Sequence, residues 1–430
     1  KYGDYAKNLI NKITDYASFL IPNVTINKND IDEAMRLGFN WSMGPFEMLN
    51  EIGVEFFGNA KQFGKKDIVL SRFIRELFFD KKDNWYGSPQ IYLDHNLPTL
   101  RRKKNTIIGT DRFWSDHSVN QLALEDYQIV EFNTKANVLD NMSMNALNES
   151  TNTKYYNGEK KSVIIINDAM QFSAGVNLNY VIKYALDRNW REIEKFIFDF
   201  QKTCKAIKYH ENPVISCPSG LAIGGGFEVL CQSDFVVSHT NVVLGLVETL
   251  VGLIPAGGGC KEMLWRWMQT EKFEKDPDYA SLKVFDLIGY AKTATSPNEA
   301  LKYKFLLNTD EVVTNRDRLL QESEKLLNEV ERNYSPPNKP IFKLPGSSVR
   351  DKMYEILENL YKDKKILEHG LEVGKQLAFV LSGGNTNINK ELSEDDMYAL
   401  ELEAFMNLIQ MPKTQERIKH TLETGKPLVN

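Results

Sequence analysis

Two glutamates and a run of three glycines are the residues in this sequence whose types and spacing could do chemistry. Gly224–Gly225–Gly226 follows the short apolar run Val214–Cys217, and Glu228 comes shortly after the glycines. This order predicts a strand, a tight loop and a helix N-terminus, where free N–H groups can bind an oxygen that gains negative charge. Glycines allow a ligand to approach such a backbone closely. Taken singly, the loop is an ordinary turn and Glu228 is a helix-start carboxylate favoured by the helix dipole.

Two further segments strengthen the case for a site. Phe172–Leu178 follows the predicted buried strand Val163–Ile166 and contains a turn. Leu244–Glu248 leads into a second glycine-rich stretch that ends at Gly259. Glu248 taken alone would be a solvated loop residue. Two carboxylates and two glycine-rich loops together indicate a site for acid–base chemistry.

The elements that must position these residues belong to two patterns. Strands alternate with helices from Tyr127 onward, which predicts an α/β domain with largely parallel strands. Residues 1–60 have helical spacing, and the pattern is helical again after Lys261. We expect a helical domain over residues 1–96, a linker over 97–117 and an α/β domain with a C-terminal helical region over 118–430. The first domain is predicted to include a helix over Ile68–Phe79 and a hairpin over Trp85–Leu93.

Composition excludes several classes of function. The 430 residues carry a net charge of −5, so no overall electrostatic attraction to nucleic acid or an anionic membrane is expected. The local basic run Arg101–Lys104 is interpreted as a solvated linker. The four cysteines form no C-x-x-C pair, and no His lies at metal-ligand spacing, so we expect no metal and a reducing cytoplasm. No apolar run is long enough to span a membrane. Since the sequence begins at Lys1, we expect a part of a longer protein.

Three segments resemble the crotonase superfamily of enoyl-CoA hydratases and isomerases. They are Phe172–Leu178, Gly224–Glu228 and Leu244–Gly259. The spacing of 20 residues between Glu228 and Glu248 is similar to that of its hydratases. The resemblance implies a crotonase-like (spiral ββα) fold with C-terminal helices and an oxyanion hole made by the N–H groups of Val176 and Gly225. It also implies that neighbouring residues bind the substrate. These are Ala174, Gly175, Asn177, Leu178, Gly224, Gly226, Pro255 and Gly257.

The implied reaction is the syn addition of water to a 2-trans-enoyl-CoA, which gives a 3-hydroxyacyl-CoA. Two backbone donors stabilise the charge on the thioester oxygen, and loss of one such donor costs about 2.7–4 kcal/mol. Two carboxylates can hold the water, remove its proton and protonate C2, each worth roughly 10²–10⁴-fold. We assign water activation to Glu228 and the C2 proton to Glu248.

Two alternatives stay open. A 3,2-enoyl-CoA isomerase shifts a proton and needs only one carboxylate, so the presence of both glutamates favours the hydratase. A non-catalytic module that binds acyl-CoA or assembles with partner subunits needs neither carboxylate.

A second resemblance covers the N-terminal region. Ile31–Glu47, which ends in the run Met43–Gly44–Pro45–Phe46–Glu47, is similar to the C-terminal helical domain of 3-hydroxyacyl-CoA dehydrogenases. A fusion of the two domains resembles one bacterial type of bifunctional fatty acid β-oxidation protein, in which the hydratase comes last. The sequence has no G-x-G-x-x-G after a strand, and His95 and His117 are poor substitutes for a catalytic histidine. We expect the NAD-binding half to lie outside this chain.

The resemblance also implies ligands and partners. Acyl-CoA and enoyl-CoA thioesters are the expected ligands, with coenzyme A present only as part of the substrate. A homo-oligomer and a thiolase in a β-oxidation complex are the expected partners.

This sequence departs from the family pattern at two positions. Asn177 stands where the family usually has Asp, which affects the loop beside the oxyanion hole. Ser296–Tyr303 resembles a helix near the acyl pocket, but Lys304 replaces the usual Gly after it. Lys302 or Lys304 could meet a CoA phosphate, although a solvated lysine is the simpler interpretation.

Overall fold

The computed structural model describes residues 2–21, 24–25, 28–39, 41–52, 100, 112–154 and 158–430. The chain divides into two compact units, Lys1–Pro98 and Thr99–Asn430. Four features predicted from the sequence lie outside the described residues. They are the helix over Ile68–Phe79, the hairpin over Trp85–Leu93, the basic run Arg101–Lys104 and His95.

The described part of the first unit is helical, with α1 (Tyr2–Phe19), α2 (Lys28–Phe39) and α3 (Pro45–Ile52). The turn before α3 explains the Met-Gly-Pro-Phe-Glu run. Asp32 accepts a hydrogen bond from the Phe46 N–H at 2.8 Å, and Glu47 accepts one from the Gly44 N–H at 2.8 Å. Gly44 lies so close to α2 that a Cβ there would be 2.3 Å from the Cα of Asp32. The motif therefore fixes where α2 meets α3.

The second unit contains twelve strands in three sheets, within the residues that the structure describes. The strands are β1 (Arg112–Ser115), β2 (Val119–Ala123), β3 (Tyr127–Phe132), β4 (Ser162–Ile166), β5 (Val214–Cys217), β6 (Gly220–Ile223), β7 (Phe235–His239), β8 (Val242–Gly245), β9 (Thr293–Ala294), β10 (Glu311–Val313), β11 (Ile341–Lys343) and β12 (Glu391–Ser393).

The main sheet has the order β1-β2-β3-β4-β5-β7-β10. From β3 to β10 its strands run parallel, whereas β1 and β2 are antiparallel. Its central strands are buried on both faces. In β4, Val163 and Ile165 pack into one apolar cluster while Ile164 and Ile166 pack into the other. Burial on both faces is why this strand is a continuous apolar run.

The linker predicted over residues 97–117 contains ordered structure. Strand β1 lies within it and pairs antiparallel with β2, from Arg112 opposite Ala123 to Ser115 opposite Asn120. His117 is exposed in the turn that joins the two strands. The predicted domain boundaries at 96 and 118 otherwise stay a prediction.

A second, three-stranded sheet in the order β6-β8-β9 carries the residues of interest. Here the structure differs from the predicted strand, loop and helix after Val214. Between β5 and the glycine run the chain forms β6, which pairs with β8 from Gly220 opposite Val242 to Ile223 opposite Gly245. Gly220 makes this turn at φ 61°, in the left-handed region. The pairing brings the ends of β6 and β8, and so the two predicted loops, side by side.

Helices pack around these sheets. They are α4 (Asn141–Asn152), α5 (Leu178–Leu186), α6 (Trp190–Lys208), α7 (Gly225–Gln232), α8 (Gly259–Met268), α9 (Glu271–Lys275), α10 (Tyr279–Gly289), α11 (Pro297–Tyr303), α12 (Leu319–Val330), α13 (Ser347–Lys362), α14 (Glu368–Leu381), α15 (Glu394–Ile409) and α16 (Pro412–Thr424). Their starts follow local sequence. Asp140 caps α4, Ser296 precedes Pro297 at the start of α11, and Ser393 forms a capping box with Asp396 in α15.

A buried charge cluster joins α6, α8 and α15. Lys261 is fully buried, and its Nζ donates to Glu394 at 2.6 Å and lies 3.4 Å from Glu262. Glu262 also pairs with Lys208 and with Arg266. These cations hold the pKa of Glu262 below its usual range, although its burial opposes that shift. The cluster therefore joins α8 and α15 by paired charges in addition to the apolar core that both helices share.

We predict that Glu262→Gln strongly destabilises this unit, because it leaves buried cations without their shared anion. Removal of one partner of a buried ion pair costs about 3–5 kcal/mol, which corresponds to a fall of more than about 5 °C in the thermal unfolding midpoint. Glu194→Gln on the exposed face of α6 is the matched control and should leave the midpoint within about 1 °C. Equal midpoints for the two variants would contradict the prediction.

Candidate active site

The loop from Ser173 to Val176 lies against the edge of β6. The Ser173 N–H donates to the carbonyl of Leu221 at 2.8 Å, and the Ile223 N–H donates to the carbonyl of Ser173 at 3.1 Å. Gly175 has φ 101°, a conformation that favours glycine. The sheet edge therefore fixes the direction in which the Val176 N–H points.

The backbones of Val176 and Gly225 are neighbours. A Cβ at Gly225 would lie 3.2 Å from the Val176 nitrogen and 2.6 Å from its Cγ2. Gly224, at φ 54° and ψ −131°, turns the chain into α7, so that Gly225 is the first residue of the helix. Neither N–H has a protein acceptor within the described residues. The structure thus brings together two free backbone donors that sequence analysis assigned to an oxyanion hole.

Glu228 lies in the first turn of α7 and is buried. Its Oε1 accepts hydrogen bonds from the N–H groups of Gly257 at 2.7 Å and Gly259 at 2.8 Å. Both donors belong to the second glycine loop, not to the helix that carries the glutamate. We call this arrangement of Glu228, Gly257 and Gly259 the glycine clamp.

Glu248 begins a short 3₁₀ helix, Glu248–Val251, that follows β8. Both of its carboxylate oxygens are shielded from solvent, and neither accepts a hydrogen bond of normal geometry from the described residues. A Cβ at Gly224 would lie 3.2 Å from Oε1 of Glu248, so this carboxylate faces the start of α7. The solvated interpretation of Glu248 is therefore wrong.

The 3₁₀ helix of Glu248 is held by α14 and α16. Thr414 donates from Oγ1 to the carbonyl of Gly252 at 3.1 Å, and His369 Nε2 lies 2.9 Å from the same oxygen of Thr414. Gly252 ends the turn at φ 80°. The predicted C-terminal helical region thus supports one of the two glutamates directly.

The two glutamates differ in electrostatic environment. Burial raises the pKa of Glu228 to about 7, while the N–H groups of Gly259 and Gly257 and the charge of Lys261 oppose the rise. Burial and the charge of Glu228 raise the pKa of Glu248 well above its usual range. Two carboxylates that interact this way disfavour double ionisation. The hydrogen bonds favour the charged form of Glu228, so its pKa is raised less than that of Glu248.

The other predicted substrate-binding residues fall into two groups. Ala174 and Leu178 are half-buried and flank Gly175 and Val176. Gly226 and Pro255 are buried, and a Cβ at Gly226 would lie 2.6 Å from the Cβ of Ser173. Gly226 therefore allows α7 to approach the first loop.

The two departures from the family pattern have local explanations. Asn177 caps α5, accepting a hydrogen bond from the Asn179 N–H at 3.1 Å, which is a role that Asp also fills. Lys304 ends α11 at φ 58°, in the left-handed region, which is where a glycine would be the unstrained choice. Its Nζ lies 5.6 Å from the ring centroid of Trp267.

Sequence analysis missed a third carboxylate beside the second glycine loop. Glu401 of α15 is fully buried and accepts hydrogen bonds from the N–H groups of Gly258 at 2.7 Å and Lys261 at 2.8 Å. It lies in a helix of ordinary amphipathic pattern, so no local motif marks it.

Two parts of the chain match known protein families. Residues 129–272 match the family described as enoyl-CoA hydratase/isomerase. These residues are similar to that family. Residues 5–76 match the C-terminal domain of 3-hydroxyacyl-CoA dehydrogenase. The predicted fold, an α/β crotonase-like domain with C-terminal helices preceded by a small all-α dehydrogenase-type domain, is confirmed.

Relatives of the whole chain carry both parts in one protein of greater length. A Bacillus subtilis protein named 3-hydroxyacyl-CoA dehydrogenase is 29% identical over 443 residues, which cover 98% of this chain and 54% of that protein. A Rickettsia felis protein named as a fatty acid oxidation complex trifunctional enzyme is 28% identical and covers 97% of this chain and 53% of its own length. Human mitochondrial methylglutaconyl-CoA hydratase is 32% identical over 92 residues, 21% of this chain and 26% of that protein. The chain therefore spans about half the length of the first two relatives.

Two further findings concern the described residues alone. No helix among them is long and apolar enough to cross a membrane. They also contain no group of three His, Cys, Asp or Glu side chains placed to hold a metal ion.

We predict that Gly226→Ala destabilises the second unit, because its Cβ would lie 2.7 Å from the carbonyl oxygen of Ser173. Overpacking of this kind costs about 1–3 kcal/mol. Gly289→Ala is the matched control, since the nearest atom would be 3.8 Å away in ordinary contact. Thermal unfolding should show a lower midpoint for Gly226→Ala alone, and an unchanged midpoint for both would contradict this packing.

Proposed function

We propose that this chain is an enoyl-CoA hydratase that adds water to the double bond of a 2-trans-enoyl-CoA. The observation that carries the proposal is the unequal environment of two glutamates whose carboxylates are shielded from solvent at one site. Glu228 accepts two main-chain hydrogen bonds, whereas Glu248 accepts none of normal geometry from the described residues. An ionised and a protonated carboxylate side by side are what the addition of H and OH requires.

The thioester is proposed to bind with its carbonyl oxygen between the N–H groups of Val176 and Gly225. As water attacks C3, the electrons of the double bond shift toward that oxygen, which becomes negatively charged. Two preorganised donors stabilise this charge more than they stabilise the neutral substrate carbonyl. The absence of a side chain at Gly225 leaves the thioester room against the main chain.

The two glutamates are proposed to divide the proton transfers. Glu228 accepts a proton from water while the water oxygen forms its bond to C3. Glu248 donates its proton to C2, and the enolate electrons return to form the new C–H bond. The product is a 3-hydroxyacyl-CoA, and a proton must pass from Glu228 to Glu248 before the next cycle.

Two other functions explain the site less well. A 3,2-enoyl-CoA isomerase needs only one carboxylate, and it would not explain why a second is buried beside the first. A binding or assembly module without turnover would gain nothing from two carboxylates whose burial disfavours the charged form. The kinetics of the wild type and of the two glutamate variants distinguish both alternatives from a hydratase.

We also propose a pathway, a location and partners for this protein. The relatives' names associate similar proteins with fatty acid oxidation and with 3-hydroxyacyl-CoA dehydrogenase. We propose a multifunctional β-oxidation enzyme in the cytoplasm, with a homo-oligomeric form and a thiolase as partners. We further propose that this chain by itself does not oxidise 3-hydroxyacyl-CoA with NAD.

We predict that Glu228→Gln and Glu248→Gln each lower kcat for hydration by about 10²–10⁴-fold, because each removes one proton-transfer group. The loss of enoyl-thioester absorbance measures the rate. Glu403→Gln, an exposed change on α15, is the control and should match the wild type. If one glutamate variant alone were inactive and the wild type moved a 3-enoyl double bond, the isomerase would be the better assignment. Binding without turnover by the wild type would favour the non-catalytic module.

We also predict that kcat/KM for hydration falls as the pH is lowered through about 7. Burial raises the pKa of Glu228 to about 7, and water activation needs its ionised form, so activity is lost on the acid side. The limiting slope is about tenfold per pH unit, as for a single ionisation. The circular dichroism spectrum should stay constant over the same pH range. A flat profile between about pH 5 and 8 would contradict the role of Glu228.

A further inference from the structure

Two carboxylates hold one short glycine loop from opposite sides. The N–H groups of Gly257 and Gly259 donate to Glu228, and those of Gly258 and Lys261 donate to Glu401. Donors that are adjacent in the chain therefore alternate between the two acceptors. Rotation of the Gly258 peptide away from Glu401 would also turn the neighbouring peptides away from Glu228.

Gly258 is the conformational centre of this loop. Its φ of 107° lies in a region that residues with a Cβ rarely adopt, and it caps α8. A Cβ at Gly258 would lie 2.9 Å from the ring and hydroxyl of Tyr398. The loop thus has little intrinsic preference for its shape, and Glu401 supplies the contacts that select it.

Glu401 is itself rigidly placed. It lies on α15, whose residue Glu394 pairs with the buried Lys261 at 2.6 Å. On α6, Gln201 donates from Nε2 to the carbonyls of both Ala256, at 2.8 Å, and Tyr398, at 2.9 Å. The helix and the loop are therefore joined by this ion pair and by the bridge through Gln201, in addition to the hydrogen bonds of Glu401 itself.

We propose that Glu401 is a positioning residue that orders the glycine clamp and so fixes the carboxylate of Glu228. The proposal rests on the hydratase function for its effect on rate, but the ordering of the clamp is independent of it. Each oxygen of Glu401 accepts one N–H: Oε1 from Lys261 and Oε2 from Gly258. Glutamine has only one carbonyl oxygen, so its NH₂ group would face one of these N–H donors.

The test compares Glu401→Gln with the wild type by residue-resolved amide hydrogen exchange and by hydration kinetics. We expect exchange to accelerate at least tenfold at Gly258 and Lys261, and also at Gly257 and Gly259, which do not touch Glu401. We expect kcat to fall about 10–100-fold while KM stays within about threefold, because the oxyanion donors lie outside this loop. Glu403→Gln on the same helix should match the wild type in both measurements.

A conservative variant separates positioning from folding. Glu401→Asp keeps the carboxylate but withdraws it by one methylene, so its exchange rates and kcat should lie between those of the wild type and Glu401→Gln. If Glu401→Gln does not fold, Glu401→Asp takes its place, with acceleration at all four amides as the expected result.

Three results would overturn the proposal. Acceleration confined to Gly258 and Lys261 would show that Glu401 acts only locally. Unchanged exchange at all four amides would show that it orders nothing. Faster exchange at all four amides together with a wild-type kcat would show that catalysis does not depend on the ordering of the clamp by Glu401. If the wild-type chain itself fails to hydrate the thioester, the proposed function is wrong, and the exchange comparison still decides whether Glu401 orders the clamp.

Discussion

A carboxylate that is buried beside a second carboxylate needs hydrogen-bond donors, and in this protein the main chain of Gly257 and Gly259 supplies them to Glu228. Main-chain donors carry no charge of their own and cannot swing away as a lysine can. They restrict the sequence, however. A Cβ at Gly257 would lie 2.2 Å from the ring of Phe200, and one at Gly259 would lie 3.0 Å from Glu228 Oε1. Glycine is therefore required at 257 by the packing of Phe200, and at 259 by Leu246 and by the carboxylate of Glu228.

The rest of the unit follows from the need to place this loop. Pairing of β6 with β8 sets the start of α7 beside the turn of Glu248. Helix α6 supports the loop from one side through Gln201, and α15 supports it from the other through Glu401. The buried charges around Lys261 join α8 to α15. Residues far apart in the sequence thus contact one loop, and the C-terminal helices help to hold the site in place.

The sequence predicted those features that have a local signature. The glycine run, the paired glutamates and the Met-Gly-Pro-Phe-Glu turn each combine unusual residue types within a short span. Strand β6 was missed because Gly220–Ile223 is short, follows Pro218 and is stabilised only by pairing with a distant strand. Glu401 was missed because its partners are backbone N–H groups about 140 residues away, which leave no pattern in its own helix. Contacts between a side chain or strand and a distant part of the backbone leave no local residue pattern, so they could not be predicted from the sequence.

The two glutamates have different electrostatic environments because the main chain donates two hydrogen bonds to Glu228. Spacing alone makes Glu228 and Glu248 equivalent, and either could serve as the base. Two N–H donors on Glu228 lower the free energy of its anion, whereas the shielded oxygens of Glu248 accept no hydrogen bond of normal geometry from the described residues. Since the pair disfavours two negative charges, the donors decide which member keeps the proton. The proposed division between base and acid therefore depends on the shape of a glycine loop, and a residue that orders this loop is proposed to act on the chemistry through it.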